Sequence, residues 1–171
     1  ALTPIAISSI TSVWFATAIF GGDPLFTLDA AATDLLQMVP ILLASGLLFG
    51  VIAMLFMLAL FKSAAIAAKT GLPHLVLTLI AAVICGVVAI FVPEILGSGI
   101  AEINIIFGGG YALGFLFLLF VLKLLATSLC VGFGLFGGVF SPAAMIGAAA
   151  GGFISKFMAA VGFVTVPHLL P

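Results

Sequence analysis

The sequence has very little charge. Its 171 residues include four lysines, no arginine and five acidic residues, so charged residues make up 5% of the chain. Soluble domains carry about 25% charged residues, and binding to a nucleic-acid backbone needs several basic contacts. We therefore expect no nucleic-acid partner. Hydrophobic residues make up 65% of the chain and the mean hydropathy is +1.58, which predicts an integral, multi-pass membrane protein in contact with the lipid bilayer.

Cysteine and histidine are also scarce. Cys85 and Cys130 lie inside apolar runs, and His74 and His168 are far apart in the sequence, so neither pair has the spacing of metal ligands. Ser141 follows a glycine-rich stretch but lacks the Gly-x-Ser-x-Gly pattern of a hydrolase nucleophile. We predict that the protein is not an enzyme and has no catalytic residue, no metal site and no cofactor.

Long apolar runs fill most of the chain. About 20 apolar residues in a helix cross the hydrocarbon core of a bilayer, and four runs qualify, with a marginal fifth at 5–20. The four runs are 39–61, 74–92, 112–131 and 139 to about 166. Residues 97–107 are too few to cross and predict a broken or re-entrant half-helix. The fold class is therefore predicted to be all-α, a single polytopic membrane domain over residues 1–171 with broken helices.

Two stretches interrupt the apolar runs with turn residues and charge. Gly-Gly-Asp-Pro at 21–24 predicts a turn after the first run. The second run stops at Lys62. A short connector is predicted to follow it, with Lys62, Lys69, Gly71 and Pro73. Because basic loops are retained on the cytoplasmic side, we expect this connector to be cytoplasmic.

The segment 132–144 is glycine-rich and lies between two apolar runs. Irregular backbone at membrane depth is tolerated only when it is buried in protein or lines a cavity. Pro142 fits the first turn of the next helix, so that helix should begin between residues 139 and 141. Its first N–H groups have no partner within the helix and carry the positive end of the helix dipole. Val139 and Phe140 are therefore predicted to present backbone N–H groups to an anion. The predicted supporting loop consists of Gly137, Gly138, Ser141 and Pro142.

One helix end is too weak to hold a dehydrated anion alone. The dipole contributes up to about 2 kcal/mol in a partly buried site, and an anion stripped of water loses far more. We therefore expect several helix ends to converge on the ion, as in transporters with broken helices. The loop carries no lysine or arginine, which is consistent with binding weak enough for the ion to leave.

These residues form a recognisable motif. Gly-Val-Phe-Ser-Pro at 138–142 resembles the Gly-x-Phe-x-Pro motif of the CLC family of chloride channels and proton-coupled chloride antiporters. The segments 93–99, 122–129 and 146–151 are similar to bacterial members in the same order, and 21–26 is similar to the turn that joins their two inverted halves. The resemblance covers nearly the whole chain as an interior piece.

The resemblance implies both a topology and a function. Residues 1–20 would be the end of the first inverted half and 39–171 most of the second. The transported ligand would be chloride or a similar small anion, coordinated in part by the N–H groups of Val139 and Phe140. The full-length protein would be a homodimer, in the bacterial inner membrane. Channel and proton antiporter both stay open, because the family's gating glutamate motif does not occur in this chain.

Two alternatives remain on the sequence alone. The chain could be a truncated or subunit-like packing element without transport activity of its own, or a different secondary transporter that binds a non-anionic ligand. Gly97-Ser98-Gly99-Ile100 is similar to the family's serine motif, but Ala101 replaces its proline, so we expect no anion contact there. Lys123 lies inside an apolar run and is expected to pair with a backbone carbonyl or a carboxylate, or to extend its charge to the membrane interface. Glu94 and Glu102 are expected to be solvated.

Overall fold

The computed structural model describes residues 2–21, 35–135 and 137–160. The described residues form six α-helices and one 3-10 turn, which confirms the all-α class. The elements are α1 (Leu2–Phe20), α2 (Leu35–Thr70), α3 (His74–Phe91), a 3-10 turn (Pro93–Ile95), α4 (Ile100–Phe107), α5 (Leu113–Gly132) and α6 (Phe140–Ala160). Five of these helices, α1, α2, α3, α5 and α6, are long and apolar enough to cross a membrane.

The helix α2 is longer than the sequence analysis predicted. It continues through Lys62 and Lys69 to Thr70, so the predicted end at Lys62 is wrong and the connector shrinks to residues 71–73. The physical reason is that residues 63–68 are mostly alanine, the strongest helix former, and Lys69 in the last turn interacts favourably with the negative end of the dipole. The residue after the helix, Gly71, has a φ of +64°.

The helix α4 is the predicted half-helix. Its eight residues span roughly 12 Å at 1.5 Å per residue, well short of a hydrocarbon core of about 30 Å. The 3-10 turn precedes it and a glycine turn at 108–110 follows it. The chain therefore enters and leaves α4 through irregular backbone, and that backbone needs hydrogen-bond partners if it lies at membrane depth.

The core lies where α4, α5 and α6 meet the end of α3. Leu116 and Leu119 of α5 and Met145 of α6 are fully buried there. The helix α5 is central, since it packs against α2, α3 and α6, while α4 packs against α6. By contrast, every side chain of residues 3–20 is exposed, which suits contact with lipid, because apolar surface has no tendency to leave an apolar solvent.

Candidate anion site at the start of α6

The helix α6 begins within the range that the sequence predicted. Its first residue is Phe140, and the N–H of Ala143 donates to the carbonyl oxygen of Val139 at 3.1 Å, so Val139 is the N-cap. The N–H groups of Val139, Phe140 and Ser141 therefore precede the first helical hydrogen bond. Pro142 has no N–H, and its position in the first turn removes no helical bond.

The predicted supporting glycines lie on an open face of the described chain. Gly137 and Gly138 are exposed, and a Cβ atom added to either would meet no atom within 4 Å. The side chain of Val139 is 38% exposed and that of Phe140 is 88% exposed. Packing among the described residues therefore does not require glycine at 137 or 138. An anion contact of the Val139 and Phe140 amides stays a prediction.

The loop that leads to this face leaves α5 through a hydrogen-bonded turn. The N–H of Leu135 donates to the carbonyl oxygen of Cys130 at 2.8 Å, and that of Gly134 donates to Val131 at 3.1 Å. These bonds satisfy carbonyls of the last turn of α5, as helix C-terminal motifs usually do. Gly134 has a φ of +88°, the left-handed region that favours glycine. The direction of the loop is therefore fixed at its first residues.

The helix α3 holds the same turn from the side. Thr78 Oγ1 donates to the carbonyl oxygen of Phe133 at 3.4 Å, and a Cβ atom at Gly134 would collide with the imidazole of His74. His74 was not expected at the site, because 60 residues of sequence separate it from Gly134. Only the packing of α3 on α5 brings the two together.

A second loop reaches the start of α6. The Oγ of Ser141 donates a hydrogen bond of 2.5 Å to the carbonyl oxygen of Ser98, in the Gly97-Ser98-Gly99 segment that precedes α4. Gly99 has a φ of +76°, and a Cβ atom on it would collide with Met145. No anion contact is expected at this segment from its sequence. The structure brings it to hydrogen-bond distance of a residue in the predicted supporting loop.

Two helix N-termini therefore meet at one place. Ser98 is two residues before the first residue of α4, Ile100, and Ser141 is the second residue of α6. Each N-terminus carries about half a positive charge and contributes about 0.3–2 kcal/mol to a nearby anion, depending on burial. The start of α4 is thus a second helix end beside the predicted one, and the convergence of both on an anion stays a prediction.

Lys123 lies beside the connector before α4, residues 92–99, which joins α3 to α4. Its side chain is 3% exposed, and Nζ donates to the carbonyl oxygens of Ile95 at 2.7 Å and Gly97 at 3.0 Å. This confirms the interpretation that Lys123 pairs with backbone carbonyls. Two hydrogen bonds from a charged donor satisfy carbonyls that a connector of this kind would otherwise leave without a partner.

Lys156 makes the corresponding contacts with the connector after α4, residues 108–112, which joins α4 to α5. Its Nζ donates to the carbonyl oxygens of Gly109 at 2.8 Å and Tyr111 at 2.6 Å. Lys156 was not predicted to have a role, although its sequence signal is the same as that of Lys123, a lone charge inside a long apolar run.

The acidic residues near α4 are less solvated than expected. Glu94, in the 3-10 turn, and Glu102, in the first turn of α4, are both half-buried. Glu102 is favourably placed for the positive end of the α4 dipole. Burial raises the pKa of the Tyr111 phenol above its ordinary 10.0, and the negative charges of Glu94 and Glu102 raise it further.

Within the described residues, no three His, Cys, Asp or Glu side chains group as metal ligands. Cys85 and Cys130 are free cysteines of α3 and α5 with their Sγ atoms 3.3 Å apart, a proximity that the sequence did not suggest. His168, residues 22–26 of the predicted turn segment and Phe136 of the glycine-rich loop lie outside the described residues.

Comparison with known proteins gives one family and several relatives. The Voltage gated chloride channel family matches residues 1–169. The H(+)/Cl(-) exchange transporter ClcA of Vibrio parahaemolyticus is 31% identical over 147 residues, which are 84% of this chain and 32% of that protein. ClcA of Vibrio cholerae serotype O1 is 45% identical over 62 residues, 36% of this chain and 13% of that protein.

A plant protein is similar over a comparable stretch. The chloride channel protein CLC-f of Arabidopsis thaliana is 30% identical over 156 residues, which are 86% of this chain and 20% of that protein. No solved structure matches the chain significantly. The chain therefore spans about a third of the length of the Vibrio parahaemolyticus transporter and a smaller share of the other two proteins.

Proposed function

Because this chain belongs to the voltage-gated chloride channel family, we propose that it forms part of the conducting core of a chloride transporter and that chloride binds at the start of α6. The N–H groups of Val139 and Phe140 hold the ion, and the supporting loop of Gly137, Gly138, Ser141 and Pro142 keeps them in place. Chloride is the transported ligand, and the proposal involves no catalysed reaction and no cofactor.

One observation carries this proposal. The helix α6 starts at Phe140, and Val139 accepts the first helical hydrogen bond, so both amide donors precede the helical ladder. The names of the similar proteins, which are a proton–chloride exchange transporter and a chloride channel, favour chloride as the ion. One of these names denotes an exchange transporter and the other a channel, so we propose chloride transport by either mechanism.

The proposed setting is a homodimer in the bacterial inner membrane. The five apolar helices of the described chain support integral membrane insertion, and similarity to Vibrio proteins supports a bacterial membrane. The exposed apolar side chains of 3–20 leave α1 accessible to lipid or to a second copy of the protein. Chemical cross-linking of the full-length protein in native membranes tests the dimer.

The decisive test removes a single amide donor. Phe140→Pro deletes the N–H of residue 140, and proline is favoured at the first position of a helix. The residue before proline prefers extended backbone, which is also usual for an N-cap. The helix should therefore remain while the donor is lost. We expect Phe140→Pro to abolish chloride binding by the full-length protein, measured by isothermal titration calorimetry.

The matched control keeps the donor and removes the ring. Phe140→Ala retains the N–H of residue 140, and the ring is 88% exposed, so chloride binding should stay close to that of the unchanged protein. Chloride binding by Phe140→Pro as tight as that of Phe140→Ala would contradict the proposal. Circular dichroism of both variants checks that their helix content is equal.

A second candidate is a packing element without independent transport. The observation in its favour is that the chain spans 32% of the length of the Vibrio parahaemolyticus transporter. Chloride efflux from liposomes separates the two candidates. Efflux with the chain alone supports transport by this segment, and efflux that requires the remaining segments of the full-length protein supports the packing element.

A further inference from the structure

Two lysines enclose the short helix α4. Lys123 of α5 donates to two carbonyl oxygens of the connector before α4, and Lys156 of α6 donates to two carbonyl oxygens of the connector after it. Charged side chains inside membrane spans are rare and face protein partners. Here each lysine satisfies irregular backbone of the kind that lipid does not tolerate unpaired.

The connector before α4 also contacts the proposed chloride site. Lys123 holds the carbonyl oxygen of Gly97, and the next carbonyl, that of Ser98, accepts the hydrogen bond from Ser141 Oγ. Ser141 directly follows Phe140, whose amide is a proposed chloride donor. On the basis of the proposed function, we infer that Lys123 is a positioning residue for chloride, acting through the connector and Ser141.

The connector depends on Lys123 for its shape. Gly97 and Gly99 both have positive φ angles, +67° and +76°. Because glycine adopts positive and negative φ about equally readily, the backbone alone does not hold the connector in this conformation. Lys123 Nζ bonds on both sides of Leu96, at Ile95 and Gly97. Without these bonds two carbonyls lose their charged donor, the connector rearranges to find other partners, and the Ser98 carbonyl moves away from Ser141.

Lys156 provides a matched control within the same chain. It has the same charge and the same two-carbonyl contact, and it lies toward the C-terminal end of α6, where it is half-buried. Its partners, Gly109 and Tyr111, lead into α5 and have no hydrogen bond to the first turn of α6 among those described. Loss of Lys156 should therefore disturb the fold near α4 and leave the start of α6 in place.

The experiment compares Lys123→Met with Lys156→Met in the full-length protein in detergent. Calorimetry gives the chloride Kd, and hydrogen exchange gives the protection of individual amides. We expect Lys123→Met to raise the Kd about tenfold, as loss of one well-placed hydrogen bond does, and to speed exchange at 97–103 and 140–146. Lys156→Met should speed exchange at 108–112 and leave the Kd within about twofold, inside the usual effect of a distant change.

Two more variants keep the test decisive if a methionine variant folds poorly. Lys123→Arg retains the charge and the donors, so its chloride Kd should return to near the original value. If the Kd of Lys123→Met rose only because of a cavity or a general loss of stability, arginine would not restore it. Ser141→Ala breaks the link to Ser98. Because both residues act through one connection, Lys123→Met combined with Ser141→Ala should bind chloride no more weakly than the worse single variant.

The outcomes separate this inference from the proposed function. Three results overturn the role of Lys123 while chloride binding stands. They are an unchanged chloride Kd in Lys123→Met, a loss of chloride affinity in Lys156→Met equal to that in Lys123→Met, and additive losses of affinity in the double variant. Absence of chloride binding by the unchanged protein overturns the proposed function and this inference together. Unchanged exchange at 140–146 in Lys123→Met overturns the positioning link without any reference to chloride.

Discussion

The imidazole of His74, at the start of α3, occupies the space that a side chain at Gly134 would need. Two further contacts join α3 to α5 and its C-terminal turn. Thr78 Oγ1 donates to the carbonyl of Phe133, and the thiols of Cys85 and Cys130 are in contact. The helix α3 therefore supports the turn from which the glycine-rich loop departs toward α6. The path of the loop depends on packing as well as on its own glycines.

The first prediction concerns Gly134. Gly134→Ala combines a φ of +88°, which costs a residue with a Cβ atom about 1–2 kcal/mol, with a collision against His74. We expect the free energy of unfolding to fall by about 1–3 kcal/mol, measured as a lower thermal midpoint by circular dichroism in detergent.

Gly137→Ala is the matched control for Gly134→Ala. A Cβ atom at 137 meets open space, and its φ is not among the positive values, so its thermal midpoint should stay near that of the unchanged protein. Equal midpoints for the two alanine variants would show that His74 does not pack on this turn as described.

The sequence predicted the fold well because the governing pattern is local. Run length and polarity alone determine which segments cross a bilayer, and α3, α5 and the start of α6 agree with the predicted runs within a residue or two. The predicted end of α2 at Lys62 is wrong because the alanines after Lys62 continue the helix to Thr70.

The candidate site was only partly predictable, for a different physical reason. The start of α6 follows from local glycine and proline chemistry. Three contacts at the site join segments that are 26 to 60 residues apart. They are the contacts of the Ser98 carbonyl with Ser141, of Lys123 with the connector before α4, and of His74 with Gly134. Such contacts arise from helix packing, and no periodicity in one sequence encodes which faces will meet.

The second prediction concerns the two cysteines. Their Sγ atoms are 3.3 Å apart and both thiols are free, so little movement separates them from a disulfide. Oxidation by copper phenanthroline with oxygen should join Cys85 to Cys130 with loss of two hydrogen atoms, the oxygen being reduced. Mass spectrometry of the intact protein and of its peptides measures the product.

Cys130→Ser is the control for this cross-link, because it leaves Cys85 without an internal partner and should give no intramolecular product. The α3–α5 packing described here requires that the unchanged protein cross-links within one chain. Disulfides found only between two chains would contradict it.

The third prediction concerns the pH dependence of Tyr111. Burial, with the charges of Glu94 and Glu102, raises the pKa of this phenol above 10.0 in the folded protein. The folded state then holds its proton more tightly than the unfolded chain does. The stabilising contribution is complete below pH 10 and is lost as the pH rises through the folded pKa, so alkaline conditions should lower the thermal midpoint.

Tyr111 is the only tyrosine of the chain, so the ultraviolet difference spectrum of phenolate follows this residue alone. We expect its titration midpoint to lie above 10 in the native protein and to return to about 10 in denaturant. Glu102→Gln removes one of the two negative charges and should lower the native midpoint, while burial, the larger cause, keeps it above that of the denatured chain. A native midpoint equal to the denatured one would mean that Tyr111 lies in open water, and the connector held by Lys156 would then be misplaced.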